Sequence, residues 1–305
     1  MYHPRVAGST SHIIKSLCAN AAIAASKGFA AFYTGSGAML AEAIHSSADC
    51  TNQALLLLGV KRAQKAPDAT HPLGYGRELY FWSFMVAMLL FTGGGVFSIY
   101  EGIHKILAPE PIENPLVGLG VLGFALALEG WATLDNIGEL NRRRGEVPFF
   151  RYLSETKDSD LVVVFGENAA ASLGLIFAGV SVTIAWQTHN PVWDAIGSLG
   201  VGLVLIAVAI FLAVEVKALL VGESADREIE AAVRAEASTS ERVSEVLRVI
   251  TIQQGPGEVM VAMKLKMKRG LSGEEVVRAL NELEAAIKAK RTEVRWIFAE
   301  PDIEA

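Results

Sequence analysis

Six stretches of the sequence are long and apolar enough to cross a lipid bilayer as helices. The hydrocarbon core of a membrane demands about 20 predominantly apolar residues of such a helix. The stretches lie near residues 12–34, 37–60, 79–104, 115–138, 161–186 and 191–220. Apolar residues make up 51% of the chain and charged residues only 20%, which is too apolar for an ordinary soluble protein. The sequence therefore predicts a polytopic α-helical membrane protein with a six-helix transmembrane bundle.

The texture of the sequence changes abruptly after Val221 to densely mixed charge. The pattern that follows predicts a helix, two alternating strands, a second helix and a final strand. Ser272 precedes the second helix and Glu275 is its third residue, which is the signature of a helix start. We therefore expect a transmembrane domain over residues 1–221 and a cytosolic α+β domain of order αββαβ over residues 222–305.

The short loops carry an asymmetric distribution of basic residues. KRAQK follows the second span and NRRR follows the fourth, whereas the opposite loops contain almost no Lys or Arg. The positive-inside rule then places both termini in the cytosol. The start of the chain predicts no cleaved signal peptide, and a bacterial plasma (inner) membrane is the default location. The net charge of −6, with no concentrated basic patch, predicts no nucleic-acid partner.

Ionisable residues interrupt the second predicted span, in the stretch AEAIHSSAD. His45 and Asp49 are four residues apart and Glu42 is three before His45, so a helix places them on one face. Imidazole nitrogen and carboxylate oxygen at this spacing are typical ligands of zinc, and iron, manganese and cobalt accept the same set. The alternative is a hydrogen-bonded cluster between helices, and Glu42 could equally contact water near the outer surface.

Other polar side chains at membrane depth are candidates for supporting roles. Asn52 is three residues after Asp49, where it either orients that carboxylate beside a bound metal or contacts another helix. Glu129 in the fourth span is a candidate proton relay or salt-bridge partner. Lys27 in the first span can compensate a buried acid, because a buried charge without a partner is costly.

Two longer stretches resemble a known family. TGSGAMLAEAIHSSADCTNQALLLLG resembles the second span of the cation diffusion facilitator family, and APDATHPLGYGRELYFWS resembles the signature that follows it. DCTNQ and APDATHPLGYG are most similar to the branch that contains the mitochondrial zinc transporters of animals. The resemblance covers essentially the whole chain. It implies a homodimer in the lipid bilayer that exchanges a divalent cation, Zn²⁺ first, for protons, with ligands from spans two and five.

The fifth span departs from the family pattern. His45 and Asp49 match the ligand pair of span two, but Val164 and Asn168 occupy the places of the usual His and Asp in span five. Asn168 could ligate through its amide oxygen or could only bond a neighbouring helix. Glu167, about 100° round the helix, could turn toward the site if the span rotates. The expected ligands are richer in oxygen than the usual zinc site: His45, Asp49, Asn168 and Glu167.

The resemblance implies two further features. Asp68 and His71 match part of a second metal site of some family members, but Tyr75 replaces one of its His residues. His71 could instead only stabilise the turn. Arg77 and Asp194 lie at positions that resemble an inter-span charge pair near the dimer contact, where loss of one partner would strand the other.

The segment 222–305 contains no His and no Cys. Family members that bind metal in this domain commonly use His clusters, so the resemblance leaves dimerisation as its expected role. Met260, Met263 and Met267 alternate with other residues along a predicted strand. This spacing predicts one packed face of the strand rather than a metal site.

The expected function is proton-coupled efflux of a divalent cation. Metal binding requires the neutral imidazole of His45, so metal and protons compete for one nitrogen, which is the simplest basis for antiport. The alternatives are the same fold carrying Fe²⁺, Mn²⁺ or Co²⁺, and a transport-dead regulatory or interaction protein. An enzyme is not expected, because the sequence holds no nucleophile elbow, HExxH motif or phosphate-binding loop.

Overall fold

A computed structural model describes residues 7–35, 37–109, 114–157 and 159–303. Within these ranges the structure does not describe the side chains of residues 7–16, 19, 37, 38, 41, 42, 45 and 160. Glu42 and His45 are therefore among the residues whose side chains are outside the description. The chain forms two compact units. The bundle unit comprises Met1–Lys61, Phe81–Ser154 and Asp158–Lys217, and the sheet unit comprises Arg62–Tyr80, Glu155–Lys157 and Ala218–Ala305.

Long helices build the bundle unit from the apolar stretches of the sequence. They are α1 (Ala7–Thr34), α2 (Gly37–Ala63), α3 (Glu78–Leu89), α4 (Phe97–Leu107), α5 (Pro115–Arg144), α6 (Phe149–Glu155), α7 (Ser159–Thr188) and α8 (Val192–Val221). A π-helical segment, Leu90–Val96, joins α3 to α4 without a break.

Among the described residues, four helical segments are long and apolar enough to cross a membrane. They are Glu78–Leu107, Pro115–Arg144, Leu161–Thr188 and Val192–Val221. Each falls on one of the last four predicted spans. The count of six spans stays a prediction, because α1 and α2 include residues whose side chains are outside the description.

Glycines allow the helices of the bundle unit to approach closely. A Cβ on Gly95, in the π-helical segment, would lie 2.5 Å from the Cγ1 of Ile206 in α8. A Cβ on Gly202 would likewise lie 2.8 Å from the Cγ1 of Ile99 in α4. Small residues thus permit close contact between helices at these positions. Elsewhere in the unit α5 packs extensively on α7, and α1 packs on α5.

The sheet unit has the predicted αββαβ order. Its elements are α9 (Arg227–Thr239), β1 (Val243–Gly255), β2 (Glu258–Met267), α10 (Gly273–Lys290) and β3 (Val294–Pro301). The strand order is β1-β2-β3, with β1 antiparallel and β3 parallel to β2. The parallel pair requires a crossover connection, which α10 provides. The predicted capping box is also present, since Ser272 N donates to Glu275 Oε2 at 2.7 Å and Ser272 Oγ accepts from Glu275 N at 3.3 Å.

The core of the sheet unit lies between the sheet and its two helices. Residues of β2 alternate between buried and partly exposed, and Met263 is 2% exposed within this core. Met267 packs against the same cluster. The prediction that the methionines serve packing is therefore confirmed for Met263 and Met267, but Met260 lies on the other, partly exposed face of β2, so the three do not share one face.

The loop before α3 belongs to the sheet unit because two glycines bring it against the β1–β2 turn. A Cβ on Gly255 would lie 2.7 Å from the Cα of Gly76, and a Cβ on Gly76 would lie 2.6 Å from the carbonyl oxygen of Gln254. In the same unit Lys157 Nζ pairs with Glu223 Oε1 at 2.6 Å. The predicted boundary at residue 221 separates the two types of secondary structure, whereas compactness groups the loop 62–80 with the residues that follow 217.

Candidate cation site

Helix α2 carries the polar stripe that the sequence predicts. Asp49 on this helix is 5% exposed and Asn52 is fully buried. Glu42 and His45 lie on the same helix, N-terminal to Asp49, but their side chains are outside the description. A buried carboxylate and a buried carboxamide one turn apart require polar partners within the bundle unit.

One such partner comes from α7. The Nδ2 of Asn52 donates a hydrogen bond to Oε1 of Glu167, at 2.6 Å. Glu167 is itself only 5% exposed. Asn52 was expected either to orient Asp49 or to contact another helix; the structure shows a helix contact, and the carboxylate that it holds is Glu167.

The other members of the predicted ligand set lie where α5 meets α7. Asn168 is half-buried, and its backbone carbonyl accepts a hydrogen bond from Thr133 Oγ1 at 3.0 Å. The same hydroxyl lies 2.8 Å from the backbone carbonyl oxygen of Glu129, so the two carbonyls share its single proton, and it lies 2.8 Å from Ser172 Oγ, from which it can accept. Glu129 is 5% exposed and interacts electrostatically with Glu167. Two buried carboxylates thus lie near the α5–α7 contact.

Among the described side chains, no group of three or more His, Cys, Asp and Glu residues is arranged to hold a metal ion. The described part of the predicted site contains Asp49, Glu167 and the half-buried Asn168. The fourth predicted ligand, His45, has its side chain outside the description. The ligand set therefore stays a prediction.

Buried lysines compensate polar groups elsewhere in the bundle unit. Lys27, fully buried in α1, donates to Ser46 Oγ in α2 at 2.7 Å. Lys105 Nζ in α4 lies 3.9 Å from Asp194 Oδ2 in α8 and donates to the carbonyl of Gly35 at 2.6 Å. The pairing of Asp194 with Arg77 that the resemblance implies stays a prediction, and the cation that the structure places beside Asp194 is Lys105.

The loop before α3 holds Asp68 with a dense set of donors. Oδ2 accepts from the Tyr75 hydroxyl at 2.6 Å and from Lys65 Nζ at 2.9 Å. Oδ1 accepts from the backbone N and the hydroxyl of Thr70 and from the backbone N of His71. These hydrogen bonds, led by that of Tyr75, hold the pKa of Asp68 well below its usual range.

The ring of His71 is occupied by contacts with its neighbours in the loop. Its ring packs on that of Tyr75 with centroids 4.1 Å apart, and its Nδ1 faces the Thr70 hydroxyl at 3.0 Å. A cation at Asp68 and His71 would have to displace hydrogen bonds that already organise the loop. Metal binding there stays a prediction, and these contacts argue against it.

A family model described as the cation efflux transmembrane domain matches residues 13–221. The chain belongs to this family. The resemblance predicted from the second span is thereby confirmed, and so is the fold class of a polytopic helical membrane protein with a C-terminal α+β domain. Within this member of the family, Asp49, Asn52, Glu167 and Asn168 all lie in the matched region.

Several named relatives are similar to this chain. The mitochondrial proton-coupled zinc antiporter SLC30A9 of Xenopus laevis is 38% identical over 70% of this chain and 38% of its own length. Metal tolerance protein C4 of Arabidopsis thaliana is 34% identical over 65% of this chain and 44% of its own. An uncharacterized transporter of Methanocaldococcus jannaschii is 23% identical over 82% and 81%, respectively. The match therefore spans only about two fifths of the length of the first two relatives.

Sequence reasoning missed two contributors to the bundle unit. Lys105 was not singled out, because a lysine near the end of an apolar span ordinarily extends its ammonium group to the membrane interface and needs no acidic partner. Thr133 was not singled out either, although it follows Glu129 by one helical turn in the same segment. Both are ordinary residues for a helix, so only their partners on other helices identify their roles.

Proposed function

We propose that this cation efflux protein is a proton-coupled antiporter that exports a divalent cation, zinc first. The observation that carries the proposal is the buried contact between Asn52 on α2 and Glu167 on α7, with the buried Asp49 one turn away on α2. Carboxylates inside a membrane domain demand compensation, and a divalent cation provides it. The named zinc antiporter among the relatives supports the choice of cation.

The proposed ligands supply one nitrogen and several oxygens. His45 contributes imidazole nitrogen, Asp49 and Glu167 contribute carboxylate oxygen, and Asn168 contributes amide oxygen. Two negative charges neutralise a divalent cation once it has lost its hydration shell. Because oxygen ligands suit harder cations, Fe²⁺, Mn²⁺ and Co²⁺ belong in any competition experiment beside Zn²⁺.

Proton coupling follows from the chemistry of the same ligands. Imidazole and carboxylates bind a metal only when they are deprotonated, so metal and protons exclude one another. A site that opens alternately to the two sides of the membrane would then release metal where protons are abundant and load it where they are scarce. Glu129 is the proposed proton relay, being a buried acid beside Glu167.

The proposed setting is a homodimer in a membrane with both termini on the cytosolic side. The basic loops support that orientation by the positive-inside rule. The earlier expectation of a bacterial plasma membrane finds no support in the frog relative, whose name assigns it to mitochondria. Dimerisation through residues 222–305 rests on the family resemblance alone.

Uptake into proteoliposomes tests this function. The full chain is reconstituted into vesicles that contain a metal-sensitive dye and a pH gradient, and each divalent metal is added outside. We expect Zn²⁺ uptake that depends on the gradient and that Asp49→Ala abolishes, because this change removes a buried anionic ligand. Loss of His45 should also abolish it.

The matched control is Asp135→Ala, which removes an exposed acid from α5. This variant should transport like the wild type. Wild-type vesicles that take up none of the four metals above the level of empty vesicles would exclude the transporter. Normal flux from Asp49→Ala would show that the cation binds elsewhere.

A further inference from the structure

The buried side chain of Asn52 has two polar atoms, and its one observed hydrogen bond uses only one of them. Its side chain is fully buried, and Nδ2 makes the 2.6 Å hydrogen bond to Glu167. The chemistry fixes which end of the amide faces Glu167, because a carboxylate oxygen accepts and only the NH₂ group can donate. Oδ1 then has no hydrogen-bond partner among the described residues. A fully buried carbonyl oxygen without a donor is costly, so its presence calls for a ligand.

The position of Asn52 along α2 continues the predicted ligand face. Asp49 is four residues after His45, and Asn52 is seven after it, which returns to the same face after nearly two turns. Glu167 approaches this end of the face from α7. This face of α2 therefore carries potential metal ligands over two helical turns. Its last member, Asn52, is in direct contact with Glu167 of α7.

We propose that Asn52 is a direct ligand of the transported cation, binding it through Oδ1 beside a carboxylate oxygen of Glu167. This inference rests on the proposed function and deepens it by adding a ligand that the span-two and span-five pattern lacks. Without a cation, the amide NH₂ group holds the carboxylate. With a cation between them, the positive charge repels the NH₂ group and attracts Oδ1.

The exchange needs only a rotation within the Asn52 side chain. The two ends of a carboxamide have nearly the same shape, and the torsion that turns them is soft. A half-turn replaces the donor by the acceptor without moving the backbone. It also breaks the hydrogen bond that joins α2 to α7, so cation binding is coupled to the contact between these helices.

An amide ligand also shifts metal preference. Together with Asp49, Glu167 and Asn168 it makes the site predominantly oxygen, the ligand type that suits Mn²⁺ better than it suits Zn²⁺. Removing the Asn52 oxygen should therefore weaken Mn²⁺ binding more than Zn²⁺ binding. A residue that only positioned Glu167 would weaken both metals alike.

Two substitutions distinguish a ligand from a positioning residue. Asn52→Leu keeps the approximate volume and removes both polar atoms. Asn52→Asp keeps the oxygen, adds a negative charge and removes the donor. If Asn52 touches the cation, the aspartate variant binds at least as tightly as the wild type, because the metal bridges two carboxylates that otherwise repel one another.

The measurement is calorimetric titration of the purified full chain, in lipid nanodiscs, with Mn²⁺ and Zn²⁺ separately. We expect Asn52→Leu to weaken Mn²⁺ binding by about tenfold or more and Zn²⁺ binding by less. Asn52→Asp should match or exceed wild-type affinity for Mn²⁺. Asn20→Leu, the same change at a half-buried position of α1, is the control and should leave both affinities unchanged.

The outcomes separate the two proposals. Equal weakening by leucine and aspartate, for both metals, would overturn the ligand role and leave Asn52 as a support for Glu167. Wild-type affinity in Asn52→Leu would overturn it as well. A wild type that binds neither metal would overturn the proposed function and this inference together.

Discussion

Glu167 in the bundle unit and Asp68 in the sheet unit are both carboxylates held by hydrogen-bond donors, and they differ in how many donors each has. Asp68 accepts five hydrogen bonds from its own loop. Glu167, among the described residues, accepts one, from Asn52. Yet Glu167 is the buried side chain, where each missing partner costs more.

The difference separates a carboxylate that organises a loop from one that remains available to a cation. Each oxygen of Asp68 is already surrounded by donors, so a metal ion would have to break a formed network. A metal ion at Glu167 would compete with a single donor, and the same donor residue carries an oxygen that can join the ion. Both regions contain a carboxylate, so what distinguishes them is the number of hydrogen-bond donors that surround it.

The largest predicted effect is the difference in metal uptake between a variant that lacks the Glu167 carboxylate and one that lacks the Asp68 carboxylate. Glu167→Gln should lower the rate of metal uptake into proteoliposomes by at least about tenfold, because a neutral amide replaces the buried carboxylate that we propose as a ligand. Asp68→Asn should leave the rate within about twofold of the wild type and lower the melting temperature instead, because it breaks charge-assisted hydrogen bonds of the loop.

A metal count on the same variants supplies the control. Protein that has been equilibrated with Zn²⁺ and freed of excess should lose bound metal in Glu167→Gln and retain it in Asp68→Asn. The reverse result, with metal lost from Asp68→Asn, would place a bound ion in the loop. The two carboxylates would then not differ in their availability to a cation.

A smaller effect should follow from a methyl group where the loop meets the sheet. In Gly76→Ala the new Cβ would meet the Gln254 carbonyl at 2.6 Å and the Cα of Gly255 at 3.0 Å. Backbone atoms cannot move aside cheaply, so we expect a loss of about 1–3 kcal/mol in stability. Thermal unfolding of the full chain in detergent measures it.

Gly273→Ala is the matched control for this prediction. Gly273 begins α10 in the same sheet unit, and a Cβ there would meet nothing within 4 Å. Alanine at that position should leave the melting temperature unchanged or raise it slightly, because it restricts the unfolded chain. Equal melting temperatures for the two variants would mean that the loop is not held at Gly76.

The sequence predicted the elements well because their signals are local. Apolar runs of about 20 residues mark membrane helices, and alternation marked the strands, down to the buried face that includes Met263. The cap at Ser272 is likewise contained within four residues. None of these features depends on which helices are neighbours.

The partners of the polar side chains were harder to predict because they lie on other helices. Spacing along α2 groups Asn52 with Asp49, but the bundle packing joins it to Glu167, 115 residues away. Asp194 was assigned to Arg77 by resemblance, whereas the structure places Lys105 beside it. Helix packing decides such pairs, and no single stretch of sequence contains it.

The smallest predicted effect concerns Glu258, an acid of the sheet unit whose burial disfavours its ionised form. Burial raises the pKa of Glu258, and the Arg295 guanidinium, 3.2 Å from Oε1, offsets this only in part. A Cβ on Gly76 would lie 2.9 Å from Glu258 Oε2, so the loop itself contributes to that burial.

A raised pKa means that the folded chain holds the proton of Glu258 more tightly than the unfolded chain does. Above the unfolded pKa of about 4.3, stability should therefore fall as pH rises, until the folded pKa is passed. Glu258→Gln should flatten this part of the melting-temperature profile, and Glu282→Gln, an acid 61% exposed on α10, is the control. Gly76→Ala should flatten it as well, because lifting the loop would return Glu258 to solvent. If the melting-temperature profile keeps its slope in Glu258→Gln, burial of Glu258 beneath the loop is not the cause of the pH dependence. Glu258 would then give no contrast, within the sheet unit, to the fully hydrogen-bonded Asp68.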